Sequence, residues 1–168
     1  MQRKFQFETG EHYHIFNRGV EKRNIFLDDG DWTRFQNLLY LANGDKSLVF
    51  KLLQGLPLEQ ERGGAHASII AYALMPNHFH IIGRENKSGG LSKLMGKLST
   101  SYSMYFNTKY ARSGPLLCHP FRARHINTDD YFRWVLSYVH LNPLDLMDSG
   151  CLKKGEINVD QAIKFLQS

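Results

Sequence analysis

Cysteine is scarce in this 168-residue chain. Cys118 and Cys151 are the only two, and neither sits in a Cys-x-x-Cys or comparable metal-ligand spacing. A disulfide framework is excluded, and both cysteines read as structural. Long apolar runs are also missing. Nothing approaches the roughly 20 residues of a membrane helix, and the opening MQRKFQFETG has no apolar signal core, so no membrane association and a cytoplasmic location are expected. Internal repeats, low-complexity tracts and linkers are absent too, and residues 1–168 read as a single domain. A chain of this length buries roughly two-thirds of its unfolded surface. With 42% hydrophobic and 22% charged residues, it is not a mainly disordered sequence.

Acidic residues are few where basic ones are dense. The net charge is 21 − 16 = +5. Residues 1–83 balance to zero, and residues 126–168 net to −2. The whole excess falls in residues 84–125, where eight Lys and Arg face a single acid, Glu85. The same segment holds Tyr102, Tyr105, Phe106, Tyr110 and Phe121. Cations interleaved with aromatic rings suit a phosphate-lined partner, because Lys and Arg displace counterions and rings stack on bases. A basic solvent face over a packed aromatic stripe accounts for the same pattern.

The periodicities predict an order of elements. A strand runs over 12–17 and is closed by Arg18-Gly19. Asp28-Asp29 caps a helix carrying Trp32, Phe35, Leu38 and Leu39 and ending near Asn43-Gly44. Residues 47–66 read as a peripheral hairpin or loop. Strands over 68–75 and 78–83, joined at Pro76-Asn77, make a hairpin expected at the centre of a sheet. Gly89-Gly90 opens a long helix whose apolar face is Leu91, Leu94, Met95, Leu98, Tyr102, Tyr105 and Phe106, with Lys93 and Lys97 opposite. A fourth strand follows near 122–127. A helix capped at Thr128-Asp129-Asp130 then stops at Pro143. Residues 144–168 form a C-terminal extension with one weak helix near 158–167. The order βαββαβ predicts a ferredoxin-like (RRM-like) α+β fold, an antiparallel sheet with helices on one face.

Two His-x-His triplets stand on predicted strands: His12-Tyr13-His14 and His78-Phe79-His80. Residues i and i+2 of a strand share a face, so each pair offers two imidazoles about 7 Å apart to one cation. Oxygen donors and a phosphate completing such a site would suit Mg²⁺ or Mn²⁺. The alternative is a polar face hydrogen-bonded to a neighbouring strand, which is the preferred reading for His12 and His14. His78 and His80 open a predicted central strand, and both readings stay open there. On the late helix, at about 100° per residue, Asn142 lies about 40° from Tyr138, Tyr131 about 20° and Trp134 about 40°. His140 and Arg133 fall on the opposite side. Tyr138 and Asn142 therefore share a face one turn apart, either as a site or as a core tyrosine and a helix-end residue.

Together the segments HYHIFNRG, IFLDD, AYALMPNHFHII, LSKLMGKLSTSYSMYFN and SYVHLNP resemble the single-tyrosine HUH transposases, the IS200-like family, and most nearly the REP-associated tyrosine transposases. The segments run in family order from about residue 12 to 143. The resemblance implies that His78, His80 and Asn142 bind a divalent cation, Mg²⁺ or Mn²⁺. It implies that Tyr138 attacks a DNA phosphate to form a 5′-phosphotyrosine and free a 3′-hydroxyl. A free tyrosine has a pKa near 10 and is a poor nucleophile at neutral pH, so the metal must polarise and orient the phosphate.

The implied partner is single-stranded DNA, often folded into a hairpin, which adds nucleoid association to the cytoplasmic location. Arg18, Lys93, Lys97, Arg112, Arg122 and Arg124 are the candidate backbone contacts. The resemblance leaves open whether Tyr138 acts within one subunit or across a homodimer. Relatives often continue beyond the point where this chain stops, and residues 143–157 lack the usual basic, Gly-containing stretch, so a shortened member is one expectation. Two other readings share these residues: a catalytically silent nucleic-acid-binding module, and a metal-dependent hydrolytic nuclease with Tyr138 structural.

Overall fold

A computed structural model describes residues 6–46 and 62–143. In chain order these form β1 (His12–Arg18), α1 (Asp29–Ala42), β2 (Ala67–Met75), β3 (His78–Glu85), α2 (Gly90–Lys109), β4 (Arg122–Ile126) and α3 (Asp129–Leu141). Local chemistry fixes the helix starts. The Asp28 carboxylate accepts the Asp31 N–H at the head of α1, and the Thr128 hydroxyl accepts the Tyr131 N–H at the head of α3. At α2 the buried Glu85 carboxylate does the same work from a distance, accepting the Gly90 and Leu91 amides at 3.0 and 2.7 Å.

The four strands form one sheet in the order β2-β3-β1-β4, every neighbouring pair antiparallel. This is the expected ferredoxin-like topology. The hairpin is not central as a whole: β3 lies inside the sheet, but β2 is an edge strand. The peripheral element expected over 47–66 lies outside the described residues up to 61, and of its remainder Ala65 bridges to Gly44. The helix expected near 158–167, and Cys151 with it, also lie outside them.

Strand alternation divides the structure into two layers. Tyr13, Ile15, Phe79 and Ile81 point to one face, where α1 and α2 bring Phe35, Leu38, Leu91, Leu94, Leu98 and Tyr102 into a single buried cluster. The two helices of the βαββαβ unit thus share a face, as expected. The residues between, His14, His80 and Ile82, point the other way. There α3 packs Val135 and Val139 onto Ala71, Ala73, Ile82 and Ile126. The position of this last helix puts Tyr138 over the histidines of β3.

Candidate active site

Three chain segments build the wall of the candidate site. The Gly19 N–H donates to Asn77 O at 2.8 Å, and the Cys118 N–H to Arg18 O at 2.9 Å. Asn17, buried, donates its amide to Cys118 O at 2.9 Å. The end of β1, the Pro76-Asn77 turn and the 116–118 segment are therefore tied together. At Gly19 a Cβ would fall 2.2 Å from Arg23 O, so only glycine admits this approach. The tight turn that follows holds Glu21 and Lys22 at φ 57° and 60°, in the left-handed region where non-glycine residues are uncommon. This places Lys22 on the rim of a cavity of about 400 Å³ with Arg18, Arg122, His78, His80 and Tyr138.

The two histidines of β3 are held in corresponding ways. His78 Nδ1 is 2.7 Å from Asn77 Oδ1, and His80 Nδ1 is 2.8 Å from His14 Nε2. A carbonyl-type oxygen can only accept, so His78 carries its proton on Nδ1 and leaves Nε2 with a lone pair. His80 Nε2 is buried and has no hydrogen-bond partner. A buried imidazole nitrogen without a partner is costly unless something else fills its place. Burial pulls the His80 imidazole down to about 3, helped by the adjacent His14 and His78. Burial and then Arg124 pull His14 down to about 4, and burial lowers His78. All three rings are neutral at neutral pH, the form in which an imidazole ligates a metal.

Tyr138 stands edge-on to this group, its ring centroid 5.4 Å from that of His80 at 88° and 6.4 Å from His14 at 71°. Asn142 precedes Pro143 yet keeps helical geometry (φ −53°, ψ −41°), with its N–H donating to Tyr138 O, so the one-turn relation to Tyr138 holds. Asn142 is buried, and its amide nitrogen lacks a partner. Amide oxygen and nitrogen exchange places by a half-turn of the group, which puts a cation-binding oxygen there instead. The donor set fits a divalent cation: two neutral imidazoles with pinned Nδ1 atoms, and one amide, two of the three with orphaned buried atoms. Among the described residues no three His, Cys, Asp or Glu side chains converge as a metal cluster. A cation here would draw its remaining ligands from oxygens of a substrate or water.

The structure sorts the expected cationic contacts. Arg18, Arg122 and Arg124 are exposed on the sheet face that carries the histidines: in register, Arg18 opposes His78, Arg122 opposes Phe16, and Arg124 opposes His14. Lys93 and Lys97 are on α2, across the sheet. Lys97 Nζ donates to Gly44 O at 2.6 Å. Arg112 is tied to Asn107 Oδ1 at 2.8 Å beyond the end of α2. Neither α2 lysine nor Arg112 lines the cavity.

Lys22 escaped the sequence reading altogether, and His14 was expected to be hydrogen-bonded but not to meet His80. The hydrogen bond to a neighbouring strand expected of His12 and His14 is made by His14, whereas the His12 ring packs edge-on to Phe132 of α3 at 5.6 Å. The partner of His14 on that strand is His80, which also brings His14 to the site. Cys118 lines the same cavity.

Residues 60–141, just under half of the chain, match the family described as "Transposase IS200 like". It is similar to the structure titled "Structure of the REP associates tyrosine transposase bound to a REP hairpin", with a TM-score of 0.58 and 13% identity over 94% of this chain and 76% of that one. A putative transposase from Deinococcus radiodurans R1 aligns at a TM-score of 0.47 and 10% identity, over 83% of this chain and 95% of that one. No curated protein matches the chain. No helix among the described residues is long and apolar enough to cross a membrane.

Proposed function

We propose that this protein is a transposase that cleaves and rejoins single-stranded, hairpin-forming DNA through a covalent 5′-phosphotyrosine at Tyr138, with a divalent cation held by His78, His80 and Asn142. The observation that carries the reading is the buried, unpartnered Nε2 of His80, on a ring pinned through Nδ1 and set 5.4 Å from the Tyr138 ring, centroid to centroid. Mg²⁺ or Mn²⁺, when bound, polarises the scissile phosphate and neutralises charge that builds on it.

The chain's own residues supply the rest. Tyr138 approaches from α3 and forms the O–P bond on the 5′ side. The 3′-oxygen of the preceding nucleotide leaves and takes a proton to become a free hydroxyl. Because the phosphodiester is exchanged for a phosphotyrosine of similar energy, a second 3′-hydroxyl can reverse the step without ATP. Arg18, Lys22 and Arg122 surround the cavity and hold the strand's phosphates in line with the phenol. His14 and Asn77 act one layer out, fixing the tautomers of the two metal-binding rings.

The test is a denaturing-gel assay with labelled hairpin DNA bearing unpaired flanks, in Mn²⁺, Mg²⁺ or EDTA. Wild type should give a metal-dependent protein–DNA adduct that Tyr138→Phe abolishes. Free 5′-phosphate ends without an adduct would favour a hydrolytic nuclease, and binding with neither product a silent module.

A further inference from the structure

Beside the cavity, α3 carries a row of aromatic rings of which the chemistry above uses only Tyr138. Tyr131, Trp134 and Tyr138 recur at i, i+3 and i+7, so they align along one side of the helix. Their rings are nearly parallel: Tyr131 and Trp134 lie 6.0 Å apart at 17°, Trp134 and Tyr138 5.4 Å apart at 5°. The packing of α3 onto the sheet centres on Val135 and Val139, both fully buried, with the half-buried Tyr131 and Tyr138 against the same cluster and Trp134 outside it. Trp134 is 60% exposed, the most exposed large hydrophobic side chain among the described residues. It is an ordered indole that the core does not need.

We propose that Trp134, held by Tyr131 and Tyr138, is a stacking subsite for one unpaired nucleobase beside the phosphate that Tyr138 attacks. The inference rests on the reading of Tyr138 as the nucleophile toward single-stranded DNA. Trp134 lies one helical turn from Tyr138, about 5.4 Å, comparable to one or two steps of ~3.4 Å between neighbouring nucleotides of a strand. A phosphate at the tyrosine therefore brings an adjacent base within reach of the indole. The aromatic row fixes the ring beforehand, which lowers the ordering cost of stacking.

Charge limits the track to a single base. Arg18, Lys22 and Arg122 attract the backbone on the cavity side. Asp130, one turn before Trp134 on the same side of α3, disfavours a phosphate farther along. Every base has a π-face, so this contact is tolerant of sequence. It would hold the strand flat against α3 while leaving sequence choice to other contacts.

Trp32 and Trp134 are the only tryptophans. Trp32 stacks on Phe26 at 4.2 Å on the other side of the sheet, so Trp32→Phe leaves Trp134 as the sole tryptophan, read by excitation to the red of tyrosine absorption. The probes are a DNA hairpin with an unpaired thymine flank and the same hairpin with an abasic flank. In Trp32→Phe the thymine flank should quench emission on binding and the abasic flank should not. Acrylamide should reach Trp134 in the free protein. Trp134→Ala should weaken binding of the thymine-flanked probe about tenfold to hundredfold, bind the abasic probe as wild type does, and be largely rescued by Trp134→Phe.

Binding without quenching, or equal loss on both probes, overturns the subsite and leaves the Tyr138 reading intact. An indole already shielded from acrylamide in free protein overturns it too, since the chain itself would then cover the ring. Failure of wild type to bind either probe overturns the functional reading and the subsite together. The fluorescence arms need no alanine variant, so a misfolded Trp134→Ala does not remove the test.

Discussion

Replacing His14 tests whether the second layer of the site is functional. The His14–His80 bond is 2.8 Å long and buried, and it is what leaves His80 Nε2 as the free nitrogen. For His80 to ligate through Nε2, its Nδ1 must carry the proton and donate it to His14 Nε2. Alanine at 14 removes that acceptor and lets His80 take either tautomer. Partners of this kind are worth about 10- to 100-fold in metal affinity, or ~1.4–2.8 kcal/mol. The unpaired Nδ1 costs a further ~1–3 kcal/mol of fold stability. Mn²⁺ titration of the full chain, followed by electron paramagnetic resonance, should show the affinity loss in His14→Ala and in His14→Phe, which keeps a ring but no acceptor. His14→Gln restores an acceptor oxygen and should recover much of it. Long-range ¹H–¹⁵N spectra should report one His80 tautomer in wild type and a mixture in His14→Phe. Wild-type Mn²⁺ affinity in a folded His14→Phe would refute the reasoning.

Other consequences are as direct. His14 and His80 have folded pKa values of about 4 and about 3, below the ordinary value of 6.5. The unfolded chain therefore binds more protons below pH 6.5, and metal-free stability should be full above that pH and fall as pH drops toward 3–4. The slope should approach ~1.4 kcal/mol per pH unit for each proton taken up, read from urea midpoints in EDTA. Lys22→Ala and Arg122→Ala should each weaken DNA binding for all sequences and flatten its salt dependence by about 0.7 in log–log slope. Lys93→Ala, across the sheet, should leave both unchanged. Phe79→Ala, between α1 and the sheet, should cost ~3–5 kcal/mol in chemical denaturation.

What the sequence revealed and concealed follows from the range of each interaction. Asp28, Thr128 and Pro76-Asn77 act within a few residues, and the elements they start or separate stand where the periodicity put them. Alternation likewise forced His78 and His80 to the face opposite Phe79 and Ile81. Register is different, because it is decided by pairing between distant segments. In β1 and β3, His14 opposes Ile82 and Phe16 opposes His80, which leaves His14 as the diagonal neighbour of His80. No local pattern in HYHIF announces that contact. Nor did charge density along the chain locate the cationic rim. Residues 84–125 are basic as a stretch, but α2 lies on one side of the sheet and β4 in it, so Lys93 and Arg122 end up in different places. Lys22 joins Arg18 and Arg122 only because three backbone segments close around Gly19.

The most direct test of the central claim is the identity of the covalently modified residue. Wild-type protein is incubated with hairpin DNA and Mn²⁺, digested with nuclease and protease, and the nucleotide-bearing peptide is sequenced by tandem mass spectrometry. A 5′-linked nucleotide is expected on Tyr138, and none in a metal-chelated control. A nucleotide on another side chain, or cleaved DNA with free 5′-phosphates and no modified peptide, would contradict it.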